Sequence, residues 1–239
     1  MTFSEMIPKK IHYIWFGGSK PSSLLAAIDT WKKRAPEYSI VEWNEKNLPY
    51  FKNDFYREAL KNNDYAFASD YARLKVLYRY GGIYIDTDMY LLADPSTILK
   101  NKELVFGIHN SDVIFSAGFI AAVSKQEFIK KAVDVYNDLP YEKGHVKPNP
   151  LLLSPLAYKM YNFDHSAKTQ VKNNGTVAAY SPNILLQPSF KSIAMHIGEK
   201  TWAAHSKHDQ VRIIMREHIK NRFTAGTFRI VNDVLRKRV

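Results

Sequence analysis

The chain has 239 residues, 46% hydrophobic and 24% charged, with no cysteine and a net charge of +11. Its length suits one α/β domain with a sizeable core, and the missing cysteines exclude disulfides and thiolate metal sites. No apolar run approaches the roughly 18–20 residues of a membrane span, and the opening MTFSEMIPKK lacks the apolar core of a secretory signal, so the expected location is the cytosol or its membrane surface.

Ile11 to Phe16 (IHYIWF) is a short apolar, aromatic run and reads as a buried first strand. Gly17-Gly18-Ser19 is a turn, and a helix follows from about Pro21 to Lys33, with Leu24, Leu25, Ile28 and Trp31 on its apolar face. Ser39 to Trp43 alternates as a second strand, and a less regular helix runs over Asp54–Lys61.

The stretch Phe67 to Leu92, FASDYARLKVLYRYGGIYIDTDMYLL, then combines three signals. Ala68, Ala72, Val76 and Tyr80 share an i,i+4 row, widened by Leu74, Leu77 and Tyr78, so its first half is a helix. Gly81-Gly82 stops that helix, because glycine accepts the left-handed conformation a C-terminal stop needs. Ile83-Tyr84-Ile85 is a β-branched and aromatic strand, ending in Asp86-Thr87-Asp88. Alternation along that strand puts Asp86 and Asp88 on one side.

Leu104–Ile108 and Val113–Val123 are further strand candidates, the second rich in small residues (Ser116, Ala117, Gly118). A helix over Lys125–Asp138 follows. Pro140 to Pro155, with four prolines, reads as a mobile substrate loop. Val177–Leu186 and Ser192–Ile197 read as late strands. Helix–strand alternation predicts βαβ units and a mostly parallel sheet. No repeat, low-complexity segment or linker divides the chain.

Two carboxylates on one side of a strand end repel unless a cation lies between them, and a hard divalent cation takes oxygen ligands and a diphosphate together. A bare DxD is more often a solvated turn. Here the helix stop and buried strand deliver the acids to a carboxyl edge, where open α/β sheets keep their sites.

The segment SDYARLxxLYxYGGIYIDTD resembles the signature of the DXD-containing sugar transferases of glycosyltransferase family 32, which includes bacterial capsule and lipopolysaccharide transferases and fungal mannosyltransferases. The large clostridial glucosylating toxins carry a related pattern. The resemblance extends over most of residues 7 to 202. It implies a GT-A fold over residues 1–205, with 206–239 as a basic helical extension. It also implies transfer of a hexose or N-acetylhexosamine from a nucleotide-sugar to a saccharide or lipid-linked acceptor in surface polysaccharide synthesis, with retained anomeric configuration. Front-face and covalent routes both remain open.

Site residues follow from the same resemblance. Asp88 would ligate Mn²⁺ or Mg²⁺ directly, and Asp86 would bind the donor ribose or reach the metal through water. Asp70 and Arg73, at i,i+3 on one helix face, would read hydroxyls of the donor sugar, a task suited to a carboxylate and a guanidinium fork. Tyr84, two before Asp86, points to the same side. Trp15, at the end of the first strand, would stack on the donor base, uracil by preference over guanine, with Gly17-Gly18 letting a flat ligand approach. In AMHIGEKTW, His196 is a further candidate metal ligand and Trp202 a donor contact. Ile197 stands where many bacterial members have a second His. Lys200 and Thr201 are candidate phosphate contacts or a solvated turn.

Residues 200–239 hold ten Lys/Arg and three acids, +7 of the +11. Val211, Met215, Ile219 and Phe223 form an apolar row beside Arg212, Arg216 and Lys220. After Gly226 a second helical stretch shows Phe228, Val231 and Leu235 beside Arg229, Arg236 and Lys237. Such basic amphipathic helices either dock on anionic membranes or cap the core.

GDP-mannose is the alternative donor. Two other classes compete. The aspartyl-nucleophile phosphatases use DxDx(T/V), but Tyr90 stands where Thr or Val belongs. A nucleic-acid module would suit the net charge, but zinc spacing and RNA-motif signatures are missing, and no nucleic-acid partner is expected.

Overall fold

The computed structural model describes residues 6–197 and 218–236. The first half contains β1 (Lys10–Ile14), α1 (Ser22–Arg34), β2 (Ser39–Trp43), α2 (Asp54–Lys61), α3 (Tyr65–Tyr80), β3 (Gly82–Ile85), β4 (Met89–Leu91), α4 (Ser96–Leu99), β5 (Leu104–Gly107) and β6 (Ser116–Ala122). The second contains α5 (Glu127–Asn137), α6 (Asn149–Tyr161), β7 (Gln170–Lys172), β8 (Val177–Tyr180), α7 (Pro182–Leu185), β9 (Ala194–His196) and α8 (Arg222–Arg236).

Seven strands form the central sheet in the order β2-β1-β3-β6-β5-β8-β7, and β4 pairs with β9 in a separate two-stranded sheet. β1 lies parallel to β2 and β3, and β5 parallel to β8; β6 and β7 run antiparallel to their neighbours. Five of the seven therefore run one way, which is the mostly parallel sheet expected from βαβ alternation.

Strand alternation sends side chains into two cores. Tyr84, Leu104, Phe106 and Ile120 pack with Leu74 and Leu77 of α3, Phe128 and Ile129 of α5 and Leu153 of α6. Ile11, Ile83, Ile85 and Phe119 face the other way, against Leu24 and Trp31 of α1, Met89 and Leu91 of β4 and Met195 of β9. The result is a sheet covered on both faces, as parallel strands require. The small sheet is bound into the second core: the Trp31 indole N–H donates to the Met89 carbonyl at 2.8 Å.

Several elements differ from expectation, each for a local reason. The loop expected over Pro140–Pro155 stops at Pro148, because α6 begins at Asn149 with Pro150 in its first turn. That position has no helical N–H bond to lose. The strand expected over Val177–Leu186 stops at Tyr180, where Ser181-Pro182 starts α7. Gly226 does not open a second helix but lies inside α8, packed on Phe190: a Cβ there would come 2.3 Å from that ring. Glycine is thus a contact residue at this position, not a break. The described part of the basic extension packs on the domain, with Ile219 and Ala225 in the second core and Arg222 Nε donating to the Ser192 carbonyl.

Candidate active site

α3 ends as its glycines dictate. Gly81 takes φ +61°, and its N–H donates to the Leu77 carbonyl. Gly82 lies so close to β1 that a Cβ would come 2.8 Å from the Lys10 carbonyl oxygen. The corner is held by His12, which sequence reasoning passed over. Its Nε2 lies 2.9 Å from the Gly81 carbonyl and its Nδ1 accepts from the Trp43 indole N–H at 3.1 Å. These partners assign the proton to Nε2 of a neutral ring, and burial lowers the His12 pKa to about 4.

β3 then delivers the acids, though not as strand alternation implies. The strand ends at Ile85, and Asp86–Asp88 form the turn into β4. The Asp86 N–H donates to the Gly118 carbonyl at 2.9 Å, and the Met89 N–H closes the turn on the Asp86 carbonyl at 3.0 Å. It is this turn, with β9 alongside, that brings both carboxylates together. Met89 pairs with His196 across β4 and β9, and the Ile197 N–H donates to the Asp88 carbonyl at 2.8 Å. His196 Nε2 consequently lies 3.2 Å from Asp88 Oδ1. One ligand atom each from Asp86, Asp88 and His196 lies within 4.8 Å of the others, and all three residues are half-buried.

Gly118 forms the floor of this group. A Cβ there would come 2.8 Å from Met89 Sδ, 3.3 Å from Asp86 Oδ2 and 3.5 Å from His196 Cδ2. The run of small residues around it was the available signal, read only as strand.

Behind Asp86 lies a buried polar network. Asp86 Oδ1 accepts from the Tyr84 hydroxyl at 3.1 Å and pairs with Arg73 Nη1 at 3.1 Å. Arg73 Nη2 lies 3.0 Å from Asp70 Oδ1, and the guanidinium sits over the Tyr84 ring at 4.6 Å. Burial pushes the Asp70 carboxyl up to about 6, with the Arg73 guanidinium opposing. Asn149, wholly buried, brackets Asp70 and accepts from the Tyr136 hydroxyl at 2.7 Å. No sequence signal marked Asn149, because it lay in a segment read as loop.

The donor set of two carboxylates and an imidazole fits an oxygen-preferring divalent ion that tolerates nitrogen. Charge agrees: Asp70, Asp86 and Asp88 against Arg73 leave two negative charges around the group, which a divalent cation would balance.

Trp15 lies just past β1 on the same sheet edge, since β1 and β3 are parallel with His12 opposite Tyr84. It is partly buried, and its indole N–H donates to the Gly18 carbonyl at 3.2 Å. Of the two glycines thought to admit a flat ligand, Gly17 has its space taken by the Tyr65 ring, 2.5 Å from a Cβ there, whereas Gly18 is open. Lys200, Thr201 and Trp202, like the row from Val211 to Met215, lie outside the described residues. Clefts of about 510 and 390 Å³ open at the opposite sheet edge, around Lys125, and none of the candidate residues lines them.

Residues 21–105 match a family described as glycosyltransferase sugar-binding region containing DXD motif. Over 162 residues the chain is 32% identical to inositol phosphoceramide mannosyltransferase 3 of Schizosaccharomyces pombe, covering 63% of this chain and 45% of that protein. The chain spans less than half the length of the first curated relatives it matches. Solved structures that share the fold include two glycosyltransferases. PaToxG glycosyltransferase has a TM-score of 0.53 and 23% identity over 65% of this chain and 69% of that one. The apo glycosyltransferase GlyE of Streptococcus pneumoniae has a TM-score of 0.51 and 9% identity over 94% of this chain and 64% of that one. The α/β architecture is of the GT-A type.

Proposed function

We propose that this chain, which belongs with the DXD-containing glycosyltransferases through residues 21–105, transfers a hexose or N-acetylhexosamine from a nucleotide-sugar to a saccharide or lipid-linked acceptor. The observation that supports it most is the meeting of Asp86, Asp88 and His196 at the carboxyl edge of β3, with ligand atoms within 4.8 Å.

Asp88 and His196 would hold a divalent ion, Mn²⁺ being the better match for an imidazole ligand. Asp86, whose Oδ1 is occupied by Tyr84 and Arg73, has Oδ2 left for the cation, a bridging water or the ribose. When bound, the cation supplies positive charge where the departing diphosphate gains negative charge. Tyr84 orients Asp86. Asp70 and Arg73 bind hydroxyls of the donor sugar, the carboxylate accepting hydrogen bonds and the guanidinium donating them. Trp15 offers its indole face to the base beside the open Gly18, and Trp202 remains a donor contact by family resemblance.

The donor has two readings. Trp15 stacking favours a uridine diphosphate sugar. The 32% identity to a protein named as an inositol phosphoceramide mannosyltransferase favours GDP-mannose and a lipid acceptor. Thermal stabilisation by UDP-glucose, UDP-galactose, UDP-N-acetylglucosamine and GDP-mannose, each with and without Mn²⁺, decides between them. No Mn²⁺-dependent stabilisation by any of the four would sink the nucleotide-sugar reading.

A lipid acceptor accords with docking of α8 on an anionic membrane surface. Phe223 and Ile230 are 72% and 56% exposed and lie seven residues apart, on one helix face. The exposed Phe190 ring meets Phe223, with centroids 6.2 Å apart. Lys191 follows Phe190 and Arg222 precedes Phe223 in sequence, with Lys220 three residues before Phe223. Apolar side chains rimmed by cations suit the headgroup boundary.

A further inference from the structure

At the sheet edge opposite the cation site, the end of α3 and the turn before α5 enclose a cleft of about 390 Å³. Three cations line it, Lys75, Arg79 and Lys125, together with the rings of Tyr50, Phe51 and Tyr80, and among the described residues no acid does. Lys75 and Arg79 stand at i,i+4 on α3, a spacing at which like charges destabilise a helix. Among the described residues no carboxylate forms an ion pair with any of the three cations. Aromatic rings hold two of them instead: Lys75 Nζ lies 5.9 Å from the Phe51 centroid and the Arg79 guanidinium carbon 5.3 Å from that of Tyr80. Tyr80 is in turn stacked on Trp43, with centroids 5.3 Å apart, and Tyr50 is 73% exposed.

Lys125 keeps its charge at a conformational cost. Its φ is +56°, in the left-handed region, and the other non-glycine residues of positive φ among the described residues are all asparagines. Asparagine tolerates that conformation and lysine does so poorly. Strain of this kind persists where the surroundings impose it, and it gathers at ligand sites. Here the Lys125 N–H donates to the Tyr78 carbonyl at 2.8 Å, which pins the turn to α3 and sets the lysine at the mouth of the cleft.

We infer that this cleft binds an anionic sugar unit, a uronate or a sugar phosphate, of the saccharide acceptor, away from the transfer site. The negative group meets the lysines and the arginine fork, and the apolar face of the ring lies on Tyr50 or Tyr80. The volume is that of a small-molecule site, about 300–1,000 Å³, and not of a groove that tracks a nucleic-acid backbone. Asp70 and Arg79 are nine residues apart on α3, about 14 Å along the axis, so occupancy here does not compete with the donor. An acceptor chain held here has a raised effective concentration at the transfer site. The choice of a sugar as the anion's carrier rests on the transferase reading; the cationic, aromatic cleft does not.

Calorimetry without Mn²⁺ or donor tests it, with tetragalacturonate, maltotetraose 1-phosphate and neutral maltotetraose as probes. At least one anionic probe is expected to bind tenfold or more tighter than maltotetraose, and which one does tells uronate from phosphate. Lys125→Asn should lose that affinity about tenfold while melting no lower than the unaltered protein, because asparagine relieves the strain. Arg79→Gln, on the exposed face of α3, should lose it comparably. Both variants should keep any Mn²⁺-dependent stabilisation by a nucleotide-sugar. Equal affinity for charged and neutral saccharides, or unaltered affinity in both variants, overturns the inference. So does inorganic phosphate that binds as tightly as the anionic saccharides, which would make the cleft a site for the bare ion, or a single-stranded oligothymidylate that binds more tightly than they do. A protein that binds the anionic saccharide here but is stabilised by no nucleotide-sugar overturns the transferase reading alone.

Discussion

His196 Nε2 lies 3.2 Å from Asp88 Oδ1, although half the chain separates the two residues. The pairing of β4 with β9 sets this distance through the backbone bond from Ile197 to Asp88. Both side chains are thus held by one ladder, and both should matter to metal binding. Asp88→Asn is expected to abolish Mn²⁺ binding and sugar transfer while leaving the thermal melt within a few degrees. His196→Ala should weaken Mn²⁺ binding about tenfold, the scale on which cation-site residues act. Retained Mn²⁺ affinity in both variants would show that the cation, if any, sits elsewhere.

Gly118→Ala tests the floor of the site. Its methyl group would press on Met89 Sδ at 2.8 Å and Asp86 Oδ2 at 3.3 Å. Overpacking of this kind costs about 1–3 kcal/mol, read as a lower denaturant midpoint. The Asp86 carboxylate should shift with it, so Mn²⁺ affinity falls as well. An alanine variant with both quantities unaltered would mean that the glycine is incidental.

His12 makes stability depend on pH. Its pKa is lowered from 6.5 to about 4 in the folded protein. A depressed value stabilises the fold above the unfolded pKa, and the stabilisation is lost as pH falls from 6.5 toward 4. The loss is about 3 kcal/mol over that window. His12→Gln can still donate to Gly81 and accept from Trp43 but does not titrate. Urea unfolding at pH 7 and pH 4 should therefore show a larger drop for the unaltered protein, and equal drops would contradict the neutral, buried ring.

On α8, Phe223→Ser with Ile230→Ser should weaken sedimentation with anionic vesicles severalfold, since each apolar side chain entering the headgroup boundary contributes on the order of 1 kcal/mol. Raising salt should weaken it further. Equal sedimentation of variant and unaltered protein, or equal binding to neutral vesicles, would leave α8 as a cap on the core.

The strand and helix at the heart of the site were legible because local physics decides them. Glycines stop α3 at Tyr80 by conformation, and β-branched and aromatic side chains make Gly82–Ile85 a strand whatever surrounds it. Asn149 was hidden by its prolines: local propensity reads them as loop, while packing of Leu153 and Ala157 into the core makes α6. Gly226 was misread in the same way, because the ring of Phe190 that excludes a side chain there is distant in sequence.

The sequence by itself determined which residues carry charge, which runs are apolar and where the chain must turn, since these follow from side-chain chemistry and backbone sterics. It placed Asp86 and Asp88 two residues apart at the end of a buried strand. Only the tertiary structure decided that the turn into β4 faces His196 across β9, that Gly118 leaves room beneath them, and that Arg73 pairs with both Asp70 and Asp86. Those relations join segments far apart in the chain, and cross-strand register and packing, not local preference, set them.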